Sequence, residues 1–333
     1  MTNTAITTFY KRLSDSGYTK PYLKTHVFPD WWEDDAANES GAFYELKLIL
    51  SRRLGLDLNS LLDTSCPIQF KDTGTCHFKT TSQQEKSDKK NTQSLARALA
   101  EIASSAVRRE YVGLPKSGVG VREEILSKQK PWVGFGELID YLWSKGIPVL
   151  FVNNIHKRWK RMDGMVTLVK NRPVIILSKK TLSCAWQLFI LAHEVGHIIN
   201  GDLEGYTTYA DAEVDKDDSD PIEQKANHTA IEILTSDGGT NFALESGMWL
   251  SADDLAYHCI HFGRELQIDP GHIALNYGYV QKQIATSNAA LKIIEPESNV
   301  QALMARKLIE NLDEDAIPED SYLYLLKMCG PEK

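Results

Sequence analysis

The chain has 333 residues, 42% hydrophobic and 25% charged, with a formal net charge of -8. That length can bury a sizeable core and exceeds one typical domain, so two or three compact units are expected. No apolar run approaches the roughly 20 residues that a membrane-spanning helix needs, and the acidic balance argues against a wholesale nucleic-acid coat.

Residues 1–78 are expected to form a small helical module. They open with "MTNTAITTFYKRLSDSG", which lacks the apolar stretch and small-residue cleavage site of a secretory signal, so the expected compartment is the cytoplasm. The paired tryptophans of "DWWEDD" (30–35) read as core residues closing the module, with partner anchoring as the alternative. Behind them, Phe43, Leu46, Leu50, Leu54 and Leu56 recur at near-helical intervals. The five cysteines, Cys66, Cys76, Cys184, Cys259 and Cys329, are odd in number, widely spaced and free of any Cys-x-x-Cys pair. They read as free thiols.

Residues 79–92 are polar and lysine-rich. They cannot bury enough surface to offset the entropy of ordering, so this stretch is expected to be a linker. The next unit, 93–240, begins with two helical patterns, "LARALAEIASSAVRREYV" and "GFGELIDYLWSKG". Three short β-branched runs follow, "IPVLFV", "GMVTLV" and "PVIILS", and predict a small, mostly antiparallel sheet. Between the first two lies "HKRWKR", in which Trp159 is interleaved with Lys157, Arg158, Lys160 and Arg161. That composition suits phosphate contact and base stacking, making a nucleic-acid signal a candidate partner; a solvated basic hairpin is the simpler reading.

A long helix is expected over about 182–200, stopping at Asn200-Gly201. The loop 201–223 holds nine Asp or Glu and a single Lys, so it is expected to be solvated. "DPIEQKANHTAIEIL" restarts a helix, with Asp220 as N-cap and Pro221 at the first helical position. Residues 241–333 read as a C-terminal helical region broken at Gly and Pro.

The chemistry sits in "LAHEVGHIIN" (191–200). Side chains four apart share one helix face, so His193 and His197 can direct ring nitrogens at one metal ion. Glu194, next to the first of them, can reach a water at that ion and take its proton. The competing reading is two histidines hydrogen-bonded inside a helical core. A catalytic zinc needs a third protein ligand, and Leu203 stands where one pattern of zinc peptidases has a third histidine. Glu223 is favoured instead, because Ala226, Asn227, Ala230, Ile231 and Leu234 share its face and direct it inward. Asp202 and Glu204 are alternatives in the acidic loop. Tyr206, Tyr209 and His228 are each candidates for stabilising a developing oxyanion.

"QLFILAHEVGHIINGD", "IEQKANHTAIEIL" and "GRELQIDPGHIALNYG" resemble segments of the ImmA/IrrE metallopeptidases. The resemblance spans about residues 93–280. It implies an α+β, minimal zincin-like peptidase domain with flanking helical regions. His193, His197 and Glu223 would hold one catalytic Zn²⁺ and Glu194 would activate water. It also implies a protein substrate, commonly a helix-turn-helix repressor encoded nearby, whose cutting switches on a mobile element, a stress response or an anti-phage operon. The alternative is a DNA- or protein-binding regulator with a structural or vestigial zinc site.

Overall fold

The protein is known here from a computed structural model that describes residues 4–71, 76–78, 83–203, 208–211, 220–238, 241–245 and 248–330, with backbone alone at 4, 76–78, 83–89 and 209–211. It is a mixed α+β structure, predominantly helical. The N-terminal part comprises α1 (Thr4–Asp15), α2 (Lys20–Tyr22), α3 (Ser40–Leu54) and α4 (Leu58–Leu62). Leu46, Leu50 and Leu54 are buried together, as their spacing predicts, with Phe43 partly buried beside them and Phe9 and Leu13 of α1 completing the cluster. The tryptophan pair divides: Trp32 packs in this core, while Trp31 is about half exposed, at 47%. Gly55 ends α3 at φ 68°, and a β-carbon there would lie 2.5 Å from Ser94 Oγ. Glycine is therefore required both by the left-handed turn and by the close approach.

After β1 (Cys76–Phe78), α5 runs from Gln83 to Ser105. Its first turns occupy much of the stretch expected to be a linker. Leu95, Leu99 and Ala103 bury its C-terminal half in the core, and Gln, Glu and Lys upstream are good helix formers that extend a helix already anchored. Residues 79–82 lie outside the described residues. Next come α6 (Gly118–Leu126), α7 (Phe135–Ser144), β2 (Val149–Phe151), β3 (Gly164–Val169) and β4 (Arg172–Leu177). The β3–β4 hairpin turns on Lys170 and Asn171, both at positive φ, the conformation that suits a two-residue connection between twisted strands.

α8 (Cys184–Asn200) and α9 (Pro221–Thr235) flank β5 (Thr208–Asp211). Ser183 caps α8 by accepting from Trp186 N, Gly201 ends it at φ 77°, and Asp220 caps α9 by accepting from Ile222 N. Gly201 and Asp220 are the stop and start signals visible in the sequence; the Ser183 cap is supplied by the structure. Then follow α10 (Ala252–Leu266), α11 (Pro270–Val280), α12 (Ile284–Ile294), α13 (Val300–Asn311) and α14 (Glu319–Cys329).

The sheet order is β1-β5-β3-β4-β2. Its centre is antiparallel, β3 pairing with β4 and β5, but both outer pairings, β1 with β5 and β2 with β4, are parallel. The expectation of a mostly antiparallel sheet thus holds for its middle alone. β2 and β3 are not joined as a hairpin; the twelve-residue connection 152–163 carries the chain past β4, leaving β2 on the far side of it.

One main core joins the N-terminal helices, the sheet, α13 and α14. Tyr324 Oη donates to Arg53 O (2.8 Å), Tyr22 Oη to Asn154 O (3.0 Å), and Asn153 Nδ2 to Gly330 O (2.8 Å). The hydrophobic core therefore does not follow the boundaries 1–78 and 241–333. A second, smaller core gathers α10, α11 and α12 against Ala185 at the start of α8.

That second core carries a pH dependence. Asp269 caps α11, accepting from His272 N at 3.0 Å, and burial pushes its carboxyl up to about 6. An acid whose folded pKa is raised binds a proton in the folded state first. Stability falls as pH rises from about 4 to about 6, and the full cost is present above that window. Asp269→Asn keeps a capping oxygen without the charge, so it should gain up to about 2 kcal/mol over wild type at pH 7.5 relative to pH 4.5. Urea unfolding at the two pH values checks this; an equal difference at both would remove Asp269 as the cause.

Candidate metal centre

α8 presents His193, Glu194 and His197 on a buried face, and all three are fully enclosed. α9 brings Glu223, also fully buried, against them. The two helices can approach this closely because residue 196 is glycine: a β-carbon there would lie 2.7 Å from Ala226 O and 3.1 Å from Ala226 Cα, both backbone atoms that cannot give way. Thr229 Oγ1 ties the helices again by donating to Asn200 Oδ1 at 3.2 Å.

The ligand atoms of His193, His197 and Glu223 lie within 4.8 Å of one another, and this buried group could hold a metal ion. His193 Nε2 is 3.0 Å from His197 Nε2 and 3.3 Å from Glu223 Oε2, and His197 Nε2 is 4.0 Å from Glu223 Oε1. Donors at about 2.0–2.1 Å around a four-coordinate ion stand about 3.3 Å apart; the two distances from His193 Nε2 match that edge, while His197 Nε2 stands wider, at 4.0 Å, from the other Glu223 oxygen.

The rings are turned the right way by partners on their other nitrogens. His193 Nδ1 is 2.9 Å from Asn227 Oδ1, and His197 Nδ1 is 2.9 Å from Asp202 Oδ2. An oxygen acceptor opposite Nδ1 selects the tautomer protonated there and leaves the Nε2 lone pair for an ion. Asp202 thus lies where it orients His197 and is not one of the three converging ligands; Glu204 lies outside the described residues. Asp202→Ala should weaken metal binding by about 10- to 100-fold with the fold intact, measured by competition with a chromophoric chelator.

Glu194 lies against β3. A β-carbon on Gly164 would fall 2.0 Å from Glu194 Oε1 and 2.6 Å from its Cδ, so the carboxylate occupies space that only glycine leaves open. Gly164→Ala should displace Glu194 and cost about 1–3 kcal/mol, while the bound metal persists. Thermal unfolding together with metal analysis tests this; an unchanged melting temperature would show that the strand yields instead.

The remaining candidates are placed as follows. His228 is exposed, with Nε2 3.4 Å from Glu232 Oε1 and its ring over Gly238; it is not part of the converging group. Tyr206 lies outside the described residues; Tyr209 is known by its backbone alone, paired with Val166. In the basic segment, Lys157, Arg158 and Lys160 are exposed. Trp159 is buried, edge-on to Tyr18 and Tyr22, with Nε1 donating to Gly17 O at 3.1 Å. Arg161 donates to the carbonyls of Val152, Asn153 and Ser178. The indole is thus packed against the N-terminal tyrosines and Arg161 braces the loop, while the other three basic side chains stay at the surface.

Asn227, Asp202 and Gly164 are contributions that the sequence reading did not assign. Asn227 was legible in part, four residues after Glu223 on the same face. Gly164 carried no signal beyond a strand-initial glycine. Cys66, Cys184, Cys259 and Cys329 are free thiols, as expected. No helix among the described residues is long and apolar enough to cross a membrane. Comparisons with protein-family models, curated proteins and solved structures find no match to the chain.

Proposed function

We propose that the chain is a zinc-dependent endopeptidase of the ImmA/IrrE kind, cutting a specific regulatory protein such as a helix-turn-helix repressor encoded nearby. The observation that carries this reading is the convergence of His193, His197 and Glu223, with Glu194 next to them on α8. A purely structural ion has no use for a carboxylate at that place. Zinc, when bound by the three ligands, supplies Lewis acidity that polarises a peptide carbonyl and acidifies water. Asn227 and Asp202 hold the imidazoles in register, and Gly164 leaves Glu194 its place. The Glu194 carboxylate accepts a proton from the attacking water and passes it to the departing amine nitrogen. Burial of the site raises the strength of each electrostatic contact within it.

The test is co-expression with the protein encoded beside the chain, with fragments read by mass spectrometry. A discrete new N-terminus in the neighbour, absent when the chain is absent, supports the reading; an intact neighbour beside zinc-loaded chain counts against it. A second reading draws on the complete burial of His193, Glu194, His197 and Glu223: a DNA- or protein-binding regulator whose ion is structural. It predicts stoichiometric zinc, an uncut neighbour and a chain that chelation unfolds.

A further inference from the structure

Away from the metal centre, a cavity of about 280 Å³ opens between the segment after α4, one face of α5 and the start of β5. Its charged and aromatic lining is Phe70, Lys71, Lys90, Arg97 and Glu101, with Gln93 beside them. Lys90, Gln93, Arg97 and Glu101 recur at helical intervals, so α5 turns a single face to the cavity. Among the described residues of the lining, three cationic side chains meet one carboxylate, in a chain whose net charge is -8. Glu101 is already engaged, 3.7 Å from Arg97 Nε. Neither Lys71 nor Lys90 has an ion-pair partner among the described residues.

Arg97 is held in place before any ligand arrives. Its Nη1 donates to Thr208 Oγ1 at 2.9 Å and to Thr167 Oγ1 at 3.1 Å, and those hydroxyls are 2.9 Å apart across β5 and β3. A guanidinium fixed by the sheet, in a lining that also carries Lys71 and Lys90, is suited to a multiply charged phosphate rather than to a single carboxylate. The volume lies near the lower bound of about 300 Å³ for small-molecule pockets, larger than one inorganic anion requires. Phe70, half-buried at the wall, offers apolar surface to the rest of the ligand.

We propose that this cavity binds a phosphorylated small molecule of mononucleotide size, its phosphate between Lys71, Lys90 and Arg97 and its uncharged part against Phe70. The proposal is independent of peptidase activity. The test is calorimetric titration of the full chain with adenosine monophosphate, inorganic phosphate and adenosine. The mononucleotide should bind at least tenfold more tightly than adenosine and be displaced by excess phosphate. Lys71→Glu with Lys90→Glu should weaken it at least tenfold, whereas Lys157→Glu with Arg158→Glu, on the exposed loop elsewhere, should not. Should the double glutamate variant lose its circular dichroism spectrum, Lys71→Gln with Lys90→Gln decides by the same criterion. Equal affinity for mononucleotide and adenosine, or equal affinity in the cavity variants and wild type, overturns the proposal.

Discussion

Glu194→Gln is expected to slow cleavage of the partner protein by about a thousandfold, within the range of 10²–10⁴ that a positioned general base contributes. Glutamine is nearly the same shape, so it fills the space beside Gly164 without new strain. It cannot accept the proton. His193, His197 and Glu223 are untouched, so metal content should stay at the wild-type level. Measuring both quantities on one preparation separates a lost base from a lost ion. Cleavage of the neighbour at the wild-type rate by the glutamine variant would remove Glu194 from the chemistry and leave the structural-ion reading.

Removing the third ligand should have the largest effect on the ion itself. Glu223→Ala leaves two imidazoles. If binding free energy of about 10–16 kcal/mol is shared among the ligands, losing one weakens affinity by roughly a thousandfold or more. Wild-type protein should gain about 4 kcal/mol when free zinc exceeds its dissociation constant a thousandfold, and the variant should lose that gain at the same zinc concentration. Thermal unfolding with and without chelator reads the difference. Glu204→Ala is the companion experiment: it should retain the zinc response, and a loss there equal to that of Glu223→Ala would move the third ligand into the acidic loop.

Several parts of the architecture were legible residue by residue. The strands at 149–151, 164–169 and 172–177 follow their β-branched runs, α8 stops at Gly201 and α9 begins at Asp220. Such signals act over one or two turns and need no knowledge of the rest of the chain. The convergence of His193 with His197 belongs to the same class, since one helix turn brings them together.

What failed required distant chain. The polar stretch before Asn91 looked unable to order itself, yet it continues a helix whose other half is buried. The packing partners of the Trp159 indole, Tyr18 and Tyr22, lie more than a hundred residues earlier and could not be named from the basic segment itself. Asp202 looked solvated because its neighbours are acidic, but it lies one turn past His197 and takes that ring's proton donor.

Local pattern alone thus determined the helix that bears the motif, the glycine that ends it, the core strands of the sheet and the short list from which a third ligand had to come. Tertiary structure decided which carboxylate faces the histidines, how α8 and α9 approach through Gly196, and how β3 makes room for Glu194. The physical reason is range. Helix periodicity and capping are set by neighbours within a few positions, whereas a metal shell and a close helix crossing depend on atoms that meet only after the chain has closed on itself.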